Sequence, residues 1–198
     1  METPIAQPES PYEILRRLEN IVRVGTIADV RHSAPARCRV RTGNLTTAWV
    51  PWLAQRAGGQ HGHHWWPPVV GEQCLLLAPG GDLLNAVALP GLYSNAKPQG
   101  SADARVFRMD WNEADSMVHD AEMSELTIDC YGAITLKVQD SIVQISAKSI
   151  RLAAGGGELI VDENGVTAKP DVTAQGISLV KHVHTEVRRG GELSGEPA

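Results

Sequence analysis

Ile134-Thr135-Leu136-Lys137-Val138, Ile142-Val143-Gln144-Ile145-Ser146 and Ser149-Ile150-Arg151-Leu152-Ala153 decide the fold. In each stretch apolar side chains alternate with Thr, Lys, Gln, Arg or Ser, the period-two signature of a strand with one buried and one wet face. The pattern extends on both sides, through Leu126-Thr127-Ile128-Asp129-Cys130 before it and Glu158-Leu159-Ile160-Val161-Asp162, Gly165-Val166-Thr167-Ala168 and Gly176-Ile177-Ser178-Leu179-Val180 after it. A turn arrives about every 8 to 10 residues, which makes an irregular internal repeat. One chain folded this way leaves its sheet edges and an apolar face open, an aggregation hazard unless something pairs with it. Three copies wound about one axis remove the hazard, because Ile134, Leu136, Val143 and Ile145 then meet equivalents from their neighbours. The ordinary alternative is a monomeric β-sandwich, but only one Phe against 19 Gly, with Gly155-Gly156-Gly157 among them, suits a narrow prism better.

Upstream the chain reads differently. Ser10-Pro11-Tyr12-Glu13 has the form of a capping box with Pro at the first helical position, and Ile14, Leu15, Leu18, Ile21 and Val22 then recur at helical spacing. This predicts a short helix that packs on a neighbouring domain or chain. Strand patterns follow at Val24–Val30, Arg37–Arg41, Thr46–Val50, Glu72–Leu77 and Asn85–Leu89, with a turn at Pro79-Gly80-Gly81-Asp82. Five such strands suggest a small Greek-key barrel of the OB type. The predicted organisation is an N-terminal helix or arm over 1–22, an OB-fold over 23–97, a polar linker over 98–109, a triple-stranded β-helix shaft over 110–179, and an apex with a tail over 180–198. The fold class is all-β, with the short N-terminal helix as the exception.

Composition narrows the function. A net charge of −5 argues against a nucleic-acid binder, whose affinity comes from clustered Lys and Arg. Arg37, Arg39 and Arg41 line up at period two and read as a solvated strand face. No run of about 18 apolar residues is present for a membrane-spanning helix. Met1 to Ser10 has neither the basic nor the apolar region of a secretory signal. Cys38, Cys74 and Cys130 are odd in number and far apart, so buried packing in a reducing compartment is their expected role. GxSxG, GxGxxG and P-loop signatures do not occur, and the chain reads as non-enzymatic.

Seven histidines raise metal binding. His182 and His184 are two apart on an expected strand, so their imidazoles project from one face, about 7 Å apart along it. Two ligands make a poor site, but two from each of three chains supply six imidazole nitrogens, the shell of an octahedral ion. Structural zinc is four-coordinate, so a six-nitrogen cage points to iron, with nickel and cobalt placed lower on availability. One such ion per trimer ties three chain ends together. His61, His63 and His64, before Trp65-Trp66-Pro67-Pro68, lack a Cys or an HExxH spacing and read as a surface loop. Trp49, Trp52, Trp65 and Trp66 are expected to seal the barrel or its contact with another subunit, and His32 and His119 to be surface or packing residues.

Taken together, these segments resemble the baseplate assembly protein V family, the central spike of contractile phage tails and of phage-tail-like bacteriocins. The likeness spans nearly the whole chain. It rests on Val24-Gly25-Thr26-Ile27, Trp49-Val50-Pro51-Trp52, Pro68-Val69-Val70-Gly71-Glu72-Gln73, Ala78-Pro79-Gly80-Gly81-Asp82, Gly91-Leu92-Tyr93 and Lys181-His182-Val183-His184. Family tails often run His-x-His-x-Gly-Val, whereas this one reads His182-Val183-His184-Thr185-Glu186-Val187 and then Arg188-Arg189. The resemblance implies a homotrimer with an OB collar, an intertwined shaft that leaves room for further axial ions, and an apex where His182 and His184 of each chain hold one iron ion. It also implies assembly in the host bacterial cytoplasm, a place in the virion tail baseplate beside hub and tail tube proteins, and mechanical piercing of the outer membrane. Two other readings are an OB adaptor for protein or carbohydrate, and a metalloenzyme centred on His61, His63 and His64.

A cage of neutral imidazoles competes with protons for its metal. We expect metal to be released as the pH falls well below about 6.5, the ordinary imidazole value. Full metal retention after dialysis at pH 4, with the fold intact, would count against ligation by His182 and His184.

Overall fold

The computed structural model describes residues 10–186 and residue 190. The stretch before Ser10, read as lacking a signal pattern, lies outside the described residues, as do Val187, Arg188, Arg189 and the predicted tail apart from Gly190. The chain divides into two compact units, Met1–Gln99 and Gly100–Ala198.

The first unit opens with helix α1, Pro11–Ile21, with Ser10 at its N-cap. The predicted capping box does not form, since the Ser10 side chain makes no capping bond. Glu13 instead accepts from Arg16 at 2.8 and 2.7 Å and from Arg17 at 2.8 Å. Two guanidiniums outbid one backbone amide for the carboxylate, and they hold Glu13 down at a pKa of about 2. The helix is held by its polar and backbone side. Asn20 is buried and accepts from Arg23 at 2.7 Å, and the Arg17 backbone sits where a Cβ on Gly81 would be, 2.2 Å from that atom. Ile14, Leu15 and Leu18 are left 46, 54 and 59% exposed. The apolar stripe is therefore real and uncovered by the described residues.

Strands β1 (Val22–Arg31), β2 (Arg37–Thr42), β3 (Leu45–Thr46), β4 (Gln73–Leu77) and β5 (Val87–Leu92) form one antiparallel sheet in the order β3-β2-β1-β4-β5. No closed ladder runs round it. The chain leaving β3 curls it instead, because Val50 pairs with Cys38 of β2, and Pro51 and Leu53 exchange backbone bonds of 2.9 and 2.8 Å with Ala88 of β5. The two sheet edges are thereby tied around a core of Ile27, Cys38, Val40, Val50, Cys74, Leu76, Ala78, Ala86 and Ala88. Buried Thr47 satisfies both its functions there, accepting from the Val40 amide at 3.0 Å and donating to the Ala48 carbonyl at 2.8 Å. The core positions of β2 and β4 alternate with outward Arg37, Arg39 and Arg41 and with Leu75 and Leu77, as a period of two requires.

The second unit begins with a three-stranded meander, β6 (Val106–Asp110), β7 (Ser116–Asp120) and β8 (Glu125–Asp129). Strand β6 starts inside the stretch read as linker. Next comes a five-stranded meander of β9 (Ala133–Val138), β10 (Ser141–Ser146), β11 (Ile150–Ala154), β12 (Gly157–Asp162) and β13 (Gly165–Lys169), and then the short hairpin of β14 (Thr173–Ala174) and β15 (Ile177–Ser178). Two-residue turns set the short repeat. Gly155 and Gly156, with φ of +55° and +86°, join β11 to β12 in the left-handed conformation such hairpins need.

Register sorts the five-stranded sheet into two unlike faces. On one, Ile134, Ile145, Ile150, Val161 and Val166 line up across all five strands, and Leu136, Val143, Leu152, Leu159 and Ala168 form a parallel row beside them. On the other, Thr135, Gln144, Arg151, Ile160 and Thr167 make one row, and Arg151 pairs with Glu158 at 3.1 Å. The apolar face is largely open: Ile134, Leu159 and Ala168 are half-buried, and its other aliphatic residues are exposed, from 38% at Val143 to 75% at Val138. The three-stranded sheet repeats the theme in the rows Phe107–His119–Leu126 and Met109–Met117–Ile128. No helix among the described residues is long and apolar enough to cross a membrane.

The cysteines divide by environment. Cys38 and Cys74 are fully buried and Cys130 is half-buried, so burial is not the common fate expected of all three. Burial pushes the Cys38 and Cys74 thiols up to about 11, which leaves almost no reactive thiolate at pH 8. We expect a thiol reagent at pH 8 to modify Cys130 first and the other two only on unfolding. Equal labelling rates in the folded protein, read by peptide mass spectrometry, would contradict the buried core.

Candidate functional site

The end of the second unit is organised by a carboxylate that the sequence does not advertise. Just beyond β13, the Asp171 side chain accepts from the amides of Val172 at 2.8 Å and Val180 at 3.1 Å and from the Ser178 hydroxyl. Ser178 Oγ in turn accepts from the Lys181 amide at 2.7 Å, and the Leu179 amide bonds the Val172 carbonyl at 2.8 Å. The β14–β15 hairpin is thus folded back onto Asp171, and the chain leaves it through a turn. The Ser178 hydroxyl is the first cause, with the Val180 and Val172 amides adding to it, that holds the Asp171 carboxyl below its usual range.

That turn sets the orientation of His182. Its amide bonds the Ser178 carbonyl at 3.1 Å, and its Nδ1 lies 3.0 Å from the Ser178 carbonyl and 3.1 Å from that of Leu179. A carbonyl oxygen only accepts, so Nδ1 carries the proton and Nε2 keeps its lone pair. This is the tautomer a metal-binding histidine needs when its other nitrogen is anchored on backbone. The His184 ring stands edge-on to it, 5.1 Å away between centroids at 81°. The two imidazoles are therefore neighbours, although not by the expected route. His182 to His184 lie outside every strand, because the turn over Leu179 to Lys181 has already ended β15.

The described residues of one chain do not complete a metal shell. Among the described residues no group of three or more His, Cys, Asp or Glu gathers at a point. What this chain offers is a pair of adjacent rings, one with a fixed tautomer and a free Nε2. Two adjacent imidazoles fit part of a metal-ligand set, which the described residues of one chain do not complete.

The other histidines are not brought together as ligands. His61 ends a short 3-10 turn over Gly59–His61, His63 bridges to Ala57, and the His64 amide bonds the Arg56 carbonyl at 2.9 Å while its ring lies 6.0 Å from that of Trp66. His32 packs its ring against Trp65 at 6.2 Å. Of the tryptophans, Trp52 packs on the core and against Trp65 at 5.9 Å. Trp49 lies on the outer face between Arg31 at 5.1 Å and Arg39 at 5.9 Å. The arginine row of β2 is accordingly less solvated than a bare strand face, since Arg39 also donates to the Thr47 carbonyl at 3.1 Å and Arg37 to that of Ala36 at 2.8 Å.

Sequence reasoning missed Asp171 and Ser178. They are seven residues apart across a two-residue turn, where Gln175 and Gly176 have φ of +51° and +83°. Only that turn brings them together, and no local pairing rule spans it.

Known proteins share both ends of this arrangement. Residues 23–93 match the family model described as the type VI secretion system/phage-baseplate injector OB domain. Residues 176–198 match the model described as the GpV apex motif. The chain is also 34% identical over 190 residues to the spike protein of Escherichia phage P2, an alignment covering 92% of this chain and 85% of that relative.

Proposed function

The chain belongs to the family of phage baseplate spike proteins, and from that premise we propose that it works as a homotrimer whose three chain ends share one metal ion at the tip. The observation that carries this reading is the apolar face of the five-stranded sheet. Soluble monomers rarely leave a contiguous aliphatic surface of that kind in water, and both outer strands of the sheet, β9 and β13, have a free edge. Three copies wound about one axis cover the faces and the edges at once. The rows Phe107–His119–Leu126 and Met109–Met117–Ile128 extend the same surface chemistry to the other sheet of the unit.

In such a trimer His182 and His184 contribute two imidazoles per chain, six in all, and an octahedral ion is the species that six nitrogens suit. Iron is the metal we favour, one per trimer, with the shaft free to hold further ions. Bound there, it would cross-link three chain ends that have no core of their own. This chain's residues supply the rest: Nδ1 of His182 is tied to backbone, which fixes the ring and leaves the Nε2 lone pair for coordination.

The role is mechanical. A narrow interwound prism has few loops to yield under axial load, so sheath contraction would drive it through the bacterial outer membrane without a catalytic step. The OB unit, with the uncovered helix stripe of Ile14, Leu15 and Leu18, would form the collar that meets hub and tail tube proteins. Assembly in the host cytoplasm, where Cys38, Cys74 and Cys130 stay reduced, fits the free thiols.

Native mass spectrometry with elemental analysis tests the site. We expect one metal per three chains, lost in His182→Ala and unchanged in His63→Ala. One metal per chain, or metal that survives His182→Ala and leaves with His63→Ala, would overturn the proposal in favour of a metal centre at the His61 loop.

A further inference from the structure

We propose that Asp171 is a positioning residue for the metal ligand His182, acting through the turn between them without touching the metal. The inference rests on the reading that His182 binds metal. Its physical basis is a continuous chain of hydrogen bonds. The Asp171 carboxylate holds the Val180 amide and the Ser178 hydroxyl, and the Ser178 hydroxyl holds the Lys181 amide. These contacts fix residues 178 to 181. The carbonyls of Ser178 and Leu179, fixed with them, are the two that take the Nδ1 proton of His182. If that frame loosens, the ring loses both its tautomer bias and its aim.

The geometry also explains why a carboxylate stands at this position. One oxygen accepts from two backbone amides and the other from a hydroxyl, and only a group with acceptors on both arms satisfies all three donors. Asparagine has the same size and shape but one acceptor arm, so it cannot accept from the amides and from the hydroxyl together, and the Ser178 hydroxyl would have to turn its proton elsewhere. Asp171 has no ion pair with the nearby Lys181, whose contribution is its backbone amide. The carboxylate therefore acts by its hydrogen bonds to the turn.

Outer partners of ligating histidines alter metal affinity by about 10- to 100-fold when removed. The test compares full-length wild type, Asp171→Asn and Ser178→Ala for the rate at which their metal is lost to EDTA, with sedimentation of the same samples to report assembly. We expect Asp171→Asn to remain assembled and to lose metal on the order of 10- to 100-fold faster, with Ser178→Ala showing a smaller change in the same direction. A variant with a merely loosened hairpin would melt earlier but release metal at the wild-type rate. That rate in assembled Asp171→Asn would overturn the inference. Should Asp171→Asn fail to assemble, Ser178→Ala decides: assembled protein with wild-type metal loss also overturns it. A wild type that holds no metal at all would instead sink the metal reading on which this inference depends, a distinct result.

Discussion

A sheet with two unbroken aliphatic rows on one face has to be covered, and the rest of the second unit follows from that requirement. The rows from Ile134 to Val166 and from Leu136 to Ala168 run across all five strands without a charged interruption. Covering one half-exposed aliphatic side chain stabilises by on the order of 1 kcal/mol, and each chain brings seven of them in these two rows, beside the more buried Ile134, Leu159 and Ala168. In the proposed trimer the gain is on the order of 20 kcal/mol, comparable to the cost of two associations at about 4–15 kcal/mol each. The polar face carries the Arg151–Glu158 pair and Thr, Gln and Lys side chains, so it has no comparable reason to leave water. Which face of the sheet is apolar is therefore set by its register, and a one-residue slip would exchange the faces.

The first unit obeys the same constraint with a different balance. Its own core is nine small and medium side chains around Leu76 and Ile27, enough to fix the sheet and to exclude Cys38 and Cys74 from solvent. The helix adds nothing to that core. It is docked by Asn20, by the Arg17 backbone against Gly81, and by the Ala78 amide on the Ile21 carbonyl, which frees its apolar stripe for another surface. Polar anchoring on one side with aliphatic exposure on the other is the arrangement expected of an element that holds position before its partner arrives.

How far the sequence carried depended on whether the determining contacts were periodic. The strands from 133 to 169 were legible because side chains alternate strictly there, and the turn glycines punctuate them. Strands β6 and β7 were hidden, since Arg108, Asp110 and Asp120 dilute the apolar signal and the preceding polar run reads as linker. The cap of α1 was misread because Glu13 has two arginine competitors one turn away. At the tip, the pair His182 and His184 was visible as a pattern, but its strand placement was not correct. The turn that ends β15 depends on Asp171, a contact across a hairpin that no spacing rule reports. The open ring of five core strands in the first unit shows the same limit: strand existence was readable, while the tie from Pro51 and Leu53 to Ala88 came only with the fold.

The claim beneath all of this is that the aliphatic face is covered by copies of the same chain. Sedimentation equilibrium of the full-length protein at micromolar concentration tests it most directly. The expected result is a single species of three times the 21.3 kDa chain mass, persisting on dilution. A stable, soluble monomer at that concentration would contradict the account.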